Sequence, residues 1–324
     1  MNNNGALVIS LDFELLWGVF DKVNWREKKE YFQNTRKVIP EILELFERYE
    51  ISCTWATVGM LFNENWEEWN QNIPEILPEY DNKKLSAYTY GNSIQSKETE
   101  KLCFAPNLIR RIKETPRQEI GTHTYSHYYC LEPGQTPESF NADLRKSREL
   151  AEKFGVDLKS LVFPRNQFNA DYLEGCKEIG LQAVRTNPDV WYWKNTQQDS
   201  LQQKIFRTGD AYIGLNNKSY RDIHEIFPGI TGQKASRLLR PNSGKDFLDK
   251  ARIRRIQSEM IAAAKNKEIY HLWWHPHNFG GNPEKNLQEL DIILKHFKSC
   301  QNKFGFQSLS MAGINETAGI KAYD

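Results

Sequence analysis

The chain has 324 residues with 43 Lys plus Arg against 42 Asp plus Glu, a formal net charge of +1, so its summed field offers no broad attraction for nucleic acid or an anionic membrane. That length buries a sizeable core without cross-links. Five cysteines (Cys53, Cys103, Cys130, Cys176 and Cys300) lie without a CxxC pair, which argues against both a zinc ribbon and a disulfide framework and fits a reducing compartment.

The start, Met1 to Glu14, has no basic segment followed by a long apolar one, and no run of about 18 apolar residues occurs to span a bilayer. The expectation is a cytoplasmic protein with no membrane insertion. Short apolar runs rich in β-branched residues fall at 6–11, 51–58, 119–124, 161–163, 183–185, 269–274 and 306–309, as strands buried on both faces do. Between them lie amphipathic stretches at 25–49, 137–154, 170–179, 246–265 and 283–298. Alternating strand and helix implies a parallel α/β sheet. Seven such strands with no break in composition predict a single distorted (β/α) barrel over residues 1–324. No glycine-rich nucleotide fingerprint follows any strand. Two polar stretches, 61–103 and 187–243, read as insertions, the second as loops over the site.

Four motifs carry chemistry. In Ser10-Leu11-Asp12-Phe13-Glu14 an apolar strand ends in two carboxylates that alternation points the same way; like charges so placed call for a cation or a proton. In His123-Thr124-Tyr125-Ser126-His127 two imidazoles follow a strand end at a spacing that can close on one divalent ion. The run Phe163-Pro164-Arg165-Asn166-Gln167 brings an arginine able to hold a carboxylate through a forked hydrogen bond. The strand ending Leu272-Trp273-Trp274-His275-Pro276-His277 carries His275 at its lip, with His277 as the competitor. Each motif alone also fits an ordinary strand-end or surface role; their coincidence at the ends of separate strands does not.

Together, in this order, the motifs resemble the polysaccharide deacetylases, the NodB-homology or carbohydrate esterase family 4 proteins, over most of the chain. The resemblance implies removal of an acetyl group from an N-acetylated amino sugar at a His-His-carboxylate metal site. It maps the two histidines of the family onto His123 and His127, and its acidic pair onto an acid-x-acid variant with Asp12 as base and Glu14 as metal ligand, the reverse remaining open. Its arginine falls on Arg165, with one proline before it instead of two; its late histidine, the general acid, falls on His275; and its Asp/Trp motif falls on Asp189-Val190-Trp191-Tyr192-Trp193, with Asp189 steadying His275.

The implied cofactor is one divalent ion, Zn2+ first, with Co2+, Ni2+ or Mn2+ as alternatives. A backbone N–H in the 127–129 turn is expected to stabilise the oxyanion. Trp17, Tyr128, Asn166, Trp191, Trp193, Trp274 and His277 are candidate substrate contacts, although Trp273 and Trp274 must point to opposite sides of their strand. The expected partner is an N-acetylated saccharide, nucleotide- or lipid-linked, with oligomeric state open. The rival readings are hydrolysis of a cyclic amide, as in allantoinases, and an inactive carbohydrate-binding barrel.

Overall fold

The computed structural model describes residues 4–194, 200–210, 212 and 218–319. All seven expected strands form: β1 Ala6–Phe13, β2 Cys53–Thr57, β3 Gln118–Thr122, β4 Ser160–Val162, β5 Ala183–Thr186, and, after three others, β9 Ile269–Trp274 and β10 Gln307–Leu309. The three unexpected strands, β6 His224–Phe227, β7 Ile230–Lys234 and β8 Arg237–Leu238, lie in the stretch expected to be loops. Helices Trp191–Lys194 and Leu201–Gly209 also form there, while the part of that expectation at 195–199, 211 and 213–217 falls outside the described residues.

The sheet runs β6-β7-β5-β4-β3-β2-β1-β9-β8, with β10 added beside β1. Every pairing is parallel except β6 with β7. One extended segment draws the two ends of this curled half-barrel together. Lys234 pairs with Thr186 of β5, the Ala235 amide still donates to Thr186, the Ser236 amide donates instead to His271 of β9, and Arg237 continues opposite Leu272. The chain thus changes partner between Ala235 and Ser236.

Strand alternation divides the buried residues into two sets. Leu7, Ile9, Leu11 and Phe13 of β1, with Leu272 and Trp274 of β9, join the large core shared with the surrounding helices. Val8 and its counterparts Ala56, Val162 and Ala183 fill the inside of the curl, where Met311 and Ile314 of the terminal helix Met311–Thr317 plug the bottom. Interior positions above that plug change to Ser10, Asp12, Arg185 and His271, all buried. A buried polar group is costly unless paired, and these four bond one another: Arg185 to Asp12 and Ser10, and Ser10 to His271.

The helices follow their sequence cues. Helix Lys29–Arg48 buries Phe32, Val38, Ile39, Ile42 and Phe46 at helical spacing. Helix Pro137–Lys153 opens with a capping box between Thr136 and Ser139, and helix Pro283–Phe304 stops at the left-handed Gly305. The stretch 61–103 folds into short helices. Its Trp66 and Trp69 are buried core residues. No helix among the described residues is long and apolar enough to cross a membrane.

Candidate active site

The four motifs meet at the C-terminal ends of the strands. Glu14, just past β1, is buried, with Oε1 3.1 Å from His123 Nε2, 3.3 Å from His127 Nε2 and 3.5 Å from His275 Nε2, while Oε2 is 3.7 Å from His277 Nδ1. Burial alone would raise the Glu14 pKa; His275 and His127 beside it prevail and hold the carboxyl well below its ordinary range. His127, buried in turn, is pushed down to about 4 against the pull of Glu14, so it stays neutral and able to ligate.

The turn that carries the histidines is tightly specified. Thr124 and His127 both have left-handed backbone, φ 60° and 58°, a conformation that non-glycine residues hold only when surroundings dictate it. Asp143, buried on helix Pro137–Lys153, accepts from the Tyr125 amide at 2.6 Å, the Ser126 amide at 3.1 Å, the Ser126 hydroxyl, and the Tyr88 hydroxyl at 3.2 Å. The Tyr128 amide donates to Thr124 Oγ1 at 2.7 Å and the Tyr129 amide to the Tyr80 hydroxyl at 2.8 Å. Tyr80 and Tyr88 come from the stretch 61–103, which therefore buttresses this turn. Of the 127–129 amides expected to serve the oxyanion, those of Tyr128 and Tyr129 thus already have acceptors.

Donor chemistry fits a divalent ion between Glu14, His123 and His127, whose ligand atoms lie within 4.8 Å of one another. His123 Nδ1 is 2.7 Å from the Val162 carbonyl, an acceptor only, so Nδ1 carries the proton and Nε2 is bare in the neutral ring. Two lone pairs then face each other across the 3.1 Å between His123 Nε2 and Glu14, which only a cation or a proton makes favourable. Ligands about 2.0–2.1 Å from a tetrahedral zinc stand about 3.3–3.4 Å apart, close to the 3.1 and 3.3 Å found for Glu14 with the two imidazoles.

Asp12 is held by an arginine other than the expected one. Arg185 of β5 donates to its two oxygens at 2.7 Å each, to Ser10 Oγ at 3.0 Å and to Asn166 Oδ1 at 2.9 Å. Its guanidinium lies 4.3 Å from the Trp273 ring. Burial would raise the Asp12 pKa, but Arg185, with His123 and His275, outweighs it and lowers the value. Arg165, whose backbone is left-handed with φ 54°, instead pairs with Asp21 at 2.5 Å and covers the Tyr129 ring.

Other expectations are corrected too. Asp189 is exposed and bonded to Lys234, and no contact joins it to His275 among the described interactions. Trp17 is core: it stacks on Trp69 and its indole donates to Cys103 O. Tyr128 is buried with its hydroxyl on Ser139 and Thr136. Trp191 is exposed against Phe206 and Tyr192, and Trp274 packs outward on Phe279 and Phe46. Trp273 takes the inward place, edge-on to His275. A cavity of ≈ 530 Å³ opens over the cluster, and His275, His277, Asn166, Arg165, Trp193 and Leu238 are among its lining residues. Arg185 was findable from sequence: it is the one charge inside an otherwise apolar strand, Ala183-Val184-Arg185.

A curled parallel sheet with two imidazoles and two carboxylates at its strand ends defines the class of carbohydrate deacetylase barrels. The chain belongs to the polysaccharide deacetylase family, whose model matches residues 19–184, just over half its length. That match includes His123 and His127; Asp12, Glu14 and His275 lie outside it. Among solved structures, the protein named as a polysaccharide deacetylase from Mycobacterium smegmatis is similar at 13% identity with TM-score 0.60, over 100% of this chain and 95% of that one. Its namesake from Pseudomonas aeruginosa PAO1 gives 9% identity and TM-score 0.56 over 96% and 89%. A Puue allantoinase gives 10% and 0.57 over 98% and 91%. At such identities the likeness is one of fold. No curated protein matches the chain in sequence.

Proposed function

We propose that the protein is a metal-dependent deacetylase of an N-acetylated amino sugar. The observation that carries this reading is the convergence of Glu14, His123 and His127 on one point beside an independently held Asp12. Glu14, His123 and His127 would hold one divalent ion, zinc by the chemistry of the donors, which when bound lowers the pKa of a water from about 15.7 toward about 7 and polarises the acetyl carbonyl.

The residues of the chain then have separable tasks. Asp12, kept ionised and aimed by the fork of Arg185, accepts the proton of the attacking water at a carboxylate oxygen. His275, 3.7 Å from Asp12 and the most accessible of the cluster with 26% of its side chain exposed, gives a proton to the departing amine nitrogen, which is too basic to leave as an anion. His277, stacked on His275 at 5.0 Å, is buried and pushed to about 4 by that burial, so it is poorly suited to deliver a proton near neutral pH. Trp193 and Leu238 offer an apolar wall for a sugar face.

The test is acetate release from N-acetylated amino sugars by zinc-loaded protein, beside Asp12→Asn and His275→Ala. Each substitution is expected to lower kcat at least 100-fold. Turnover that survives both, or ring opening of allantoin with no acetate from any sugar, would refute the assignment.

A further inference from the structure

His123 and His127 turn the same nitrogen toward Glu14 but have different partners behind them. Behind His123 stands the Val162 carbonyl, which only accepts, so the favoured neutral ring carries its proton on Nδ1. Behind His127 stands the Tyr129 hydroxyl, 3.2 Å from Nδ1, which can both donate and accept. These neighbours leave His127 two satisfied neutral forms. In one, Nδ1–H donates to Tyr129 and the bare Nε2 faces Glu14. In the other, the Tyr129 hydroxyl donates to Nδ1 and Nε2–H donates to Glu14 Oε1 across 3.3 Å. The ring need not turn between the two, and its charge is the same in both.

Tyr129 is fully buried and held on several sides. Its ring stands edge-on to that of His127, with centroids 5.2 Å apart and planes at 88°. The Tyr80 ring packs beside it at 6.0 Å, and the Tyr80 hydroxyl accepts its amide. Over its face lies the Arg165 guanidinium, 4.2 Å from the centroid, a cation–π contact that burial strengthens. Asp21 anchors that guanidinium in turn. Asp21 follows β1, Tyr129 follows β3 and Arg165 follows β4, so contacts from three strand ends converge on one atom of a metal-binding ring. Phenylalanine would fill the same space; among the described interactions, the hydroxyl adds only the bond to His127. Arg165, which does not hold Asp12, thereby has a task of its own.

We propose that Tyr129, steadied by Arg165 and Asp21, is a positioning residue that presents Nε2 of His127 to the ion. Its hydroxyl accepts from Nδ1 when the ion is bound and donates to Nδ1 in the metal-free protein, so His127 changes tautomer without turning while His123 keeps one form. One proton leaves Nε2 for solvent as one arrives on Nδ1, and the tyrosine keeps its own. This inference rests on the metal reading of the site given above.

The test compares full-length protein, its histidines labelled with 15N, in excess chelator and after reloading with zinc. Long-range 1H–15N spectra report which ring nitrogen carries the proton, and ring contacts with Tyr129 and Val162 assign the two histidines. The expected result is a proton on Nε2 of His127 without zinc and on Nδ1 with it, and on Nδ1 of His123 in both. Tyr129→Phe removes the hydroxyl but keeps the ring under Arg165; it is expected to weaken zinc binding about 10–100-fold in competition with a chromogenic chelator, and Arg165→Met by less, in proteins whose far-ultraviolet spectra match the wild type. Wild-type zinc affinity in Tyr129→Phe, or a His127 proton on the same nitrogen in both states, overturns the proposal and leaves the metal reading standing. Failure of the metal reading looks different: wild-type protein takes up no zinc, and both inferences fall together.

Discussion

Arg185 donates to both carboxylate oxygens of Asp12 at 2.7 Å, although their strands, β5 and β1, are not neighbours in the sheet. The pair crosses the inside of the curl and fixes a buried acid in both charge and direction. Removing one partner of such a pair leaves an uncompensated buried charge, at a cost of about 3–5 kcal/mol. Arg185→Met should therefore lose that much stability in denaturant melts and lower acetate release at least 100-fold. Arg185→Lys, which keeps the charge but not the fork, should fall between. A methionine variant with wild-type kcat would show that Asp12 needs no such support.

Asp143 touches no ligand, yet it accepts the amides of Tyr125 and Ser126 between the two histidines. Groups that orient metal ligands typically change affinity 10–100-fold when removed. Asp143→Ala should weaken zinc binding by that factor, and Asp143→Asn, which retains one acceptor oxygen, by less. Competition with a chromogenic chelator gives the ratio. Equal affinity in all three proteins would assign Asp143 to folding alone.

His271 bonds Ser10 at 2.8 Å inside the barrel, and burial, with Arg185 opposing a second positive charge and Asp12 partly offsetting it, pushes its pKa down to about 3. The unfolded chain binds the proton near pH 6.5. A base depressed in the fold contributes full stability above that value and loses it as pH falls through it, here until about pH 3. From pH 7 to pH 5 the loss is about 2 kcal/mol. Stability curves of wild type and His271→Gln should differ in slope by that amount over this interval. Parallel curves would contradict the assignment.

The two adjacent tryptophans of β9 and the nearby Trp193 separate packing from recognition. Trp274, fully buried against Phe46 and Phe279, should cost about 3–5 kcal/mol as Trp274→Ala. Trp193, on the cavity wall, should raise KM for the sugar as Trp193→Ala with little change in melting temperature. Loss of stability in both would leave Trp193 as core.

Much of this was legible from residue order. The seven apolar runs became strands because each had only a buried place to go, whereas β6, β7 and β8 are written in polar residues, His224-Glu225 and Thr231-Gly232-Gln233-Lys234 among them, and carry no such pattern. Asp12, Glu14, His123 and His275 come together because each stands at the end of a strand facing the same interior, and His127 joins them through the turn that follows β3. The failures have local causes. Register sets Ser10 opposite Trp273, so Trp273 and not Trp274 faces inward; the parity of His275 already implied it. Arg165 sits in a left-handed turn that no motif announces and pairs with Asp21, and the partners of Trp17 depend on how the stretch 61–103 folds back.

The central claim is a single ion at Glu14, His123 and His127. Elemental analysis of protein stripped by chelation and reloaded with zinc, for wild type, Glu14→Ala and His123→Ala, tests it most directly. The expected result is one ion per chain in the wild type and none in either variant, with both variants still folded. Wild-type protein that takes up no divalent metal, or variants that keep it, would rule out an ion held by Glu14, His123 and His127.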